Sequence, residues 1–584
     1  MSDSLLLDLD EAQLAAVTTT SGAVAIYAGA GSGKTRVLTR RIAYAVSKQV
    51  VNPKNVLALT FTTRAADEMA LRLAQLGIRD LAVRTFHSAA LRQLKFFWPD
   101  VIGGPLPKIT TDKFNIVKAI LKQIGAGQDV QTIRDVISEI EKAKVNRLEP
   151  ESLPVEKVRE AYRLYLEKND ELNQIDFEDA LLLLVAILEE HPNIARRVQN
   201  TFSWFSVDEY QDVNPLQQNL LDLWLGNSQE ICVVGDTAQT IYTFAGANPE
   251  NLLNFTERFP RASVFKLNRN YRSADNIVQT ANKVLSAMGR THAAVGGLVA
   301  TRELPGEVKL ERFNSDWKEA QAVSKKIKEM INSGTNPAEI AILYRINWQA
   351  EILKTALTSD GINFWLQSED RYEFKQRVEP RISLATMHAT KGLEWANVFL
   401  IGLSEGIMPI SQAVSEEEIL EEQRLFYVAV TRARDFLHLS WAKAKDEASP
   451  LRTKSQFLKL LNLEAAAVSD QTDFSINKPQ YLAPVKKAAA KCKKCRSGLM
   501  TGAEITVGRC NRCASDTPPE LYKTAFKTRN EIAAKENIPE FLVLTDSMLI
   551  ALVDAWFEKT DPSLISSEKW DLYRADLEKA LSQI

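Results

Sequence analysis

With 584 residues, 45% of them apolar and 25% charged, the chain is too long for one hydrophobic core and ordinary in composition for a globular protein. Its net charge of −2 excludes a globally cationic field, so any nucleic-acid site must be a local patch or groove. The sequence has no apolar run of about twenty residues and no basic start before a long apolar stretch, which argues for a cytoplasmic address without membrane attachment.

Residues 1–87 alternate short apolar runs, at 23–27 and 56–60, with helical patterns, as in an α/β domain with a parallel sheet. From 88 to 200 strand signals vanish. There Val155, Val158, Tyr162, Tyr165 and Leu166 recur at helical spacing and 180–188 is a buried-helix run, predicting an all-helical insertion. Strand signals return at 202–207 and 230–235, so 201–263 is expected to complete the first domain. A second α/β set covers 264–460, with strands at 340–344, 381–387 and 398–402. Residues 461–488 read as a linker, 489–516 as a cysteine-rich module, and 517–584 as a helical tail in which Leu521, Ala525 and Ile532 share one face.

Ala28-Gly29-Ala30-Gly31-Ser32-Gly33-Lys34-Thr35 follows an apolar strand and precedes a helix that starts at Arg36. Glycines let backbone amides close around phosphate oxygens at a helix N-terminus, Lys34 neutralises the terminal phosphates, and the Thr35 hydroxyl suits magnesium. Ala28 stands where glycine is usual, but that position only starts the turn. The segment 207–212, Val-Asp-Glu-Tyr-Gln-Asp, ends a strand. Asp208 at its tip can hold Mg²⁺ and Glu209 can polarise an attacking water, so ATP and Mg²⁺ are expected. Phosphoryl transfer also needs cations aimed at the developing charge, and Arg272 and Arg432 stand out in the second α/β block.

In this order the segments resemble the signatures of the UvrD/Rep/PcrA group of superfamily 1 DNA helicases, across roughly residues 5–445. Leu9–Gln13 resembles the Q-motif, 59–65 and 84–87 resemble motifs Ia and Ib, and 235–247 resembles motif III. Segments 267–273, 384–394 and 422–432 resemble motifs IV, V and VI. The resemblance implies two RecA-like domains with ATP between them, an inserted helical subdomain (1B), and 3′-to-5′ motion on single-stranded DNA and its junctions with duplex. It also implies that Gln13 reads adenine, Gln239 senses the γ-phosphate and Tyr271 stacks on the base. Glu394 would touch the ribose or terminal phosphate, and Arg272 and Arg432 would be arginine fingers. Phe61, Tyr242 and Phe244 match the stacking positions for DNA bases; Arg64, His87, Arg345 and His388 match backbone-contact regions.

Two departures stand out. Ala245 replaces the family's arginine. Only about forty residues separate Arg345 from His388, where relatives carry a second helical subdomain (2B), so 2B is expected to be largely absent.

Cys492, Cys495, Cys510 and Cys513 form a CxxC–x14–CxxC pattern that suits a four-thiolate Zn²⁺ site. Eight lysines and arginines between 486 and 512 face Glu504 alone, pointing to DNA-backbone contact. The tail resembles the HRDC domain of RecQ-type helicases. Its 12 acids against 8 bases suit a protein contact as well as DNA, leaving room for a repair partner. Core, tetracysteine and tail together resemble an actinobacterial subgroup of UvrD-type helicases, acting as monomer or weak dimer in repair or replication. The alternatives are a translocase that strips proteins or unwinds only with a partner, and a zinc-dependent scaffold whose nucleotide site is only a switch.

Overall fold

A computed structural model describes residues 3–289, 295–366, 380–446, 449–463, 466–467 and 519–536, and parts of 544–582. Two compact units emerge: Met1–Asn270 with Ala294–Gly296, and Tyr271–Ala293 with Gly297–Ile584.

The first unit is built on a six-stranded parallel sheet in the order Ala82–Thr85, Val56–Thr60, Trp204–Val207, Ile231–Gly235, Val24–Ala28, Ser263–Leu267. Four of these strands are buried along their whole length, which is why they read as continuous apolar runs rather than alternating ones. Ser263–Leu267 corrects the expected boundary at 263. It pairs in parallel with Val24–Ala28, so the first domain extends to Asn270. Its alternating burial gives it the look of an edge strand, and nothing local in such a segment says which sheet it joins.

The insertion is also smaller than expected. Phe86, Leu94, Phe97 and Trp98 from the helix Phe86–Val101, and Leu181, Leu184, Val185 and Leu188 from Phe177–Glu190, belong to the core beneath the first sheet. Only the helices Lys113–Gln123, Val130–Val145 and Glu156–Glu171 form a separate core, around Ile120, Ile133, Ile140 and Tyr165. Helical periodicity reveals that a face is buried but not against which element.

The second unit carries a seven-stranded parallel sheet: Phe364–Leu366, Ile382–Thr386, Ile340–Tyr344, Trp395–Leu400, Ala433–Ala442, Glu307–Phe313, Ala466–Ala467. The last of these corrects the linker start at 461. Leu461 is buried and Ala466–Ala467 pairs with Glu311 and Arg312. In the tail, Leu521, Ala525 and Ile532 share a buried cluster with Leu577 and Leu581, as their spacing predicts. Two parallel-sheet domains of the RecA-like kind with inserted helices are therefore present. The four cysteines at 492–513 lie outside the described residues. No helix among the described residues is long and apolar enough to cross a membrane.

Candidate functional site

In the first unit the strand Val24–Ala28 delivers the chain into a tight loop where Gly31 and Gly33 take positive φ (69° and 82°). At Gly33 a Cβ would also come within 3.3 Å of Gln13 Nε2, so a side chain there is disfavoured twice. Gly33 caps the helix Lys34–Ser47 without any side-chain acceptor, which leaves the first-turn amides directed at the loop.

Three side-chain contacts hold this loop. Ser32 Oγ donates to Gly29 O (2.7 Å), Gln13 Nε2 to Ser32 O (2.9 Å) and Asn270 Nδ2 to Ala30 O (2.8 Å). Gln13 is fully buried and its Oε1 accepts from the Asp10 amide, so both ends of its amide brace protein backbone. An adenine contact from Gln13 would use the second N–H or the second lone pair of an amide already held in place. Arg36 is tied to Asp8 O (2.7 Å), fastening the N-terminal segment to the loop's helix.

The Lys34 ammonium is buried with no hydrogen-bond acceptor, beside two buried carboxyls. Asp208 accepts from Thr35 Oγ1 at 3.1 Å. Burial, reinforced by the Glu209 charge, pushes the Asp208 carboxyl up to about 6, against the pull of Lys34 and Thr35. Burial likewise raises Asp236, with Lys34 opposing it. An unpartnered ammonium flanked by carboxyls and uncapped amides fits an anion with its divalent counter-ion. Lys34 and the amides suit phosphate oxygens; Thr35 and Asp208 supply hard oxygen donors for magnesium.

Glu209 sits at φ 53°, a left-handed conformation that costs a non-glycine residue roughly 1–3 kcal/mol, and it directs its carboxylate toward Gln211 Nε2 (2.6 Å). Gln211 in turn accepts from the Asp236 amide (3.0 Å), and Gln239 donates to Asp236 Oδ2 (2.7 Å). Glu209, Gln211, Asp236 and Gln239 thus form one chain of contacts. Gln211 and Asp236 carried no assigned role in the sequence, although both fall inside the quoted segments. Gly235 is required here, because a Cβ would lie 2.5 Å from Gln211 Oε1.

On the same unit, Phe61, His87, Tyr242 and Phe244 line one groove of about 340 Å³ together with Asn214 and Val145. The Phe61 and Tyr242 rings stack at 5.1 Å, Phe244 meets Tyr242 edge-on at 6.1 Å, and Phe244 is half exposed. Ala245 lines this groove as well, with no long side chain to close it. Burial lowers the His87 pKa, with Glu178 opposing and Lys113 assisting, so the ring is neutral at pH 7. Arg64 is exposed on the first turn of the helix Thr63–Gln75.

In the second unit, Arg272, Glu394 and Arg432 come together. Arg272 Nε bonds Glu394 Oε2 at 2.5 Å and its Nη1 bonds Thr431 O at 3.2 Å. Arg432 is 2% exposed and donates to Val428 O (2.9 Å), Leu393 O (3.1 Å) and Thr431 Oγ1 (3.1 Å). Tyr271 precedes them, partly exposed. Arg345 is engaged elsewhere: Nε and Nη2 bond the buried Glu422, the shorter contact being 2.7 Å. Burial, then the Arg345 charge, lowers His388 to about 3, so it too is neutral. Among the described residues no group of three or more metal-ligating side chains occurs.

The UvrD/REP helicase N-terminal domain matches residues 9–260, and the UvrD-like helicase C-terminal domain matches 265–379 and 365–444. ATP-dependent DNA helicase UvrD2 of Mycobacterium tuberculosis (strain H37Rv) is 34% identical over 670 residues, covering 95% of this chain and 94% of the relative. ATP-dependent DNA helicase PcrA of Bacillus subtilis is 33% identical over 377 residues, covering 62% and 51%. PcrA of Staphylococcus aureus (strain Mu50) is 30% identical over 459 residues, covering 75% and 61%. Phosphate loop, carboxylate strand tip, aromatic groove and paired arginines occur in one chain with these likenesses, and the chain belongs to the UvrD/REP family of DNA helicases.

Proposed function

We propose that this chain couples ATP hydrolysis to 3′-to-5′ movement along single-stranded DNA and separates strands at duplex junctions, in repair or replication. The observation that carries this reading is the first unit itself. A phosphate loop with an unpaired buried ammonium and an aromatic groove belong to one compact body, and the Gln239 segment joins them. Lys34 and the loop amides grip the triphosphate, and Thr35 and Asp208 hold magnesium, which supplies charge neutralisation at the phosphates. Glu209 orients the water, Gln239 reports the terminal phosphate, Tyr271 stacks on the base, and Arg272 and Arg432 stabilise the charge that develops. Phe61, Tyr242 and Phe244 take up DNA bases by stacking, while Arg64, His87 and His388 contact the backbone.

Replacing Tyr242 or Phe244 by alanine is expected to weaken single-strand binding by about 5- to 150-fold, from a stacking contribution of roughly 1–3 kcal/mol per base. Phe244 is half exposed, so its loss leaves the fold intact. Fluorescence anisotropy with an oligothymidylate checks this; unchanged affinity in both variants removes the groove from the DNA path.

Unwinding of tailed duplexes of both polarities under single-turnover conditions tests the whole reading. Strand separation from a 3′ tail is expected, none from a 5′ tail. A translocase that needs a partner to unwind is the second reading, and one feature favours it. Between Tyr344 and Ile382 the described residues hold one helix, Trp348–Ser359, and a strand, Phe364–Leu366, that joins the sheet. That leaves little chain for a 2B subdomain. Movement without strand separation would select the second reading.

The tetracysteine segment is proposed to bind Zn²⁺ through Cys492, Cys495, Cys510 and Cys513, presenting its basic surround to DNA, and 517–584 to form an HRDC-like bundle. Cys492→Ala is expected to release about one equivalent of zinc on metal analysis; unchanged content would refute the site.

A further inference from the structure

Three buried acceptors in the second unit converge on two stretches of backbone. Gln349 Oε1 accepts from the amides of Arg345 (3.0 Å) and Ile346 (2.8 Å). Gln349 packs so closely on Gly402 that a Cβ there would lie 2.0 Å from its Nε2. Glu319 Oε1 accepts from the Gly402 amide (3.0 Å) and from Ser440 Oγ (2.6 Å). The third acceptor is Glu422. Its carboxylate takes Arg345 Nη2 at 2.7 Å and Nε at 3.0 Å, and its Oε2 also accepts from the Ile410 amide at 3.0 Å. Its side chain is 6% exposed and that of Arg345 is 16% exposed.

The position of Glu422 gives this contact a consequence. It lies on the helix Glu416–Val430, whose residues from Leu425 to Val430 are all buried, and Arg432 follows the C-cap Thr431. Ten residues separate Glu422 from Arg432, roughly 15 Å along the axis at 1.5 Å per residue. The same helix packs against the turn Met387–Thr390 that carries His388, and against Asp275–Ser286. The middle of this helix therefore holds the Arg345 and Ile410 segments, and its fully buried second half leads to Arg432.

The charge around Glu422 makes the hold specific. Arg345 is its cation, and Arg345 is also the charged group that helps to keep His388 neutral. A buried carboxylate bonded by a fork-shaped guanidinium and a backbone amide fixes three groups in one geometry. A neutral amide at 422 could keep the bonds to one oxygen but not those to both, since the other half of Gln's head is a donor facing two donors.

We infer that Glu422 is a positioning residue for DNA coupling: it sets the Arg345–His388 edge of the second sheet relative to the helix that ends in Arg432. This rests on the motor reading above, deepens it, and assigns Glu422 no contact with nucleotide or DNA.

The test is steady-state ATP hydrolysis by the full chain, without DNA and across a titration of oligothymidylate, for the parent, Glu422→Gln and Glu422→Asp. Both variants are expected to keep DNA-free turnover within about twofold of the parent. In Glu422→Gln the DNA concentration for half-maximal stimulation is expected to rise about tenfold, with a smaller maximal stimulation. Glu422→Asp keeps the charge but is one methylene short of both partners, and should fall between. Thermal unfolding is followed in parallel. If Glu422→Gln does not fold, the aspartate variant alone decides.

Parental DNA dependence in a folded variant would overturn the inference and leave the motor reading standing. DNA-free and DNA-stimulated turnover falling in the same proportion would also overturn it, because Glu422 would then be merely structural. A parent whose turnover ignores DNA would instead sink the motor reading.

Discussion

Lys34→Ala is expected to lower kcat for ATP hydrolysis by about 10³-fold or more, while thermal stability stays close to that of the parent. The first half follows from the site: Lys34 is the buried cation of the phosphate loop, and removing one preorganised charge at a developing anion costs about 10²–10³ even for a neutral donor. The second half follows from the same burial. Removing an ammonium without a hydrogen-bond acceptor relieves a desolvation penalty, and this offsets the lost attraction to the two buried carboxyls, which can protonate instead. Asp208 and Asp236 then lose the charge that pulls them down, and both shift further toward the protonated form. Activity and stability should thus move apart, which separates this variant from one that simply unfolds. Steady-state turnover and a thermal melt on the same preparation check it; near-parental turnover would overturn the phosphate-loop assignment.

Arg272→Gln should lower kcat about 10³-fold, or roughly 4 kcal/mol of transition-state stabilisation, with the fold intact. Its partner Glu394 is 41% exposed, so leaving that carboxylate alone costs little. Arg432→Lys should lose activity to a similar degree but also lower the melting temperature. The Arg432 guanidinium serves three protein acceptors at 2% exposure, and an ammonium reproduces only part of that fork. The contrast between the two is the informative result. Measuring kcat at saturating single-stranded DNA beside a thermal melt checks both; full turnover in Arg272→Gln would remove it as an arginine finger.

Much of the fold was legible because its strands are short, apolar and bounded. Val56–Thr60 and Ile340–Tyr344 were predicted to the residue. The phosphate loop was equally legible, since glycine spacing, Lys34 and Thr35 carry their own stereochemistry. What could not be read was partnership. Gln13 matches an adenine-reading position, and that its amide also braces Ser32 and Asp10 could not be read. Arg345 matches a DNA-contact region, and that its guanidinium is held by Glu422, 77 residues away, could not be read. The ends of the helical insertion looked detached and instead fill the core under the first sheet.

By itself the sequence determined two parallel-sheet domains, the glycine-rich turn before Lys34 and the family, because local stereochemistry and order along the chain encode all of these. Only the tertiary structure decided that Ser263–Leu267 closes the first sheet, that Ala466–Ala467 extends the second, and that Glu422 rather than solvent faces Arg345. Those outcomes depend on which distant groups meet once burial has chosen a packing, and neither periodicity nor motif spacing carries that information.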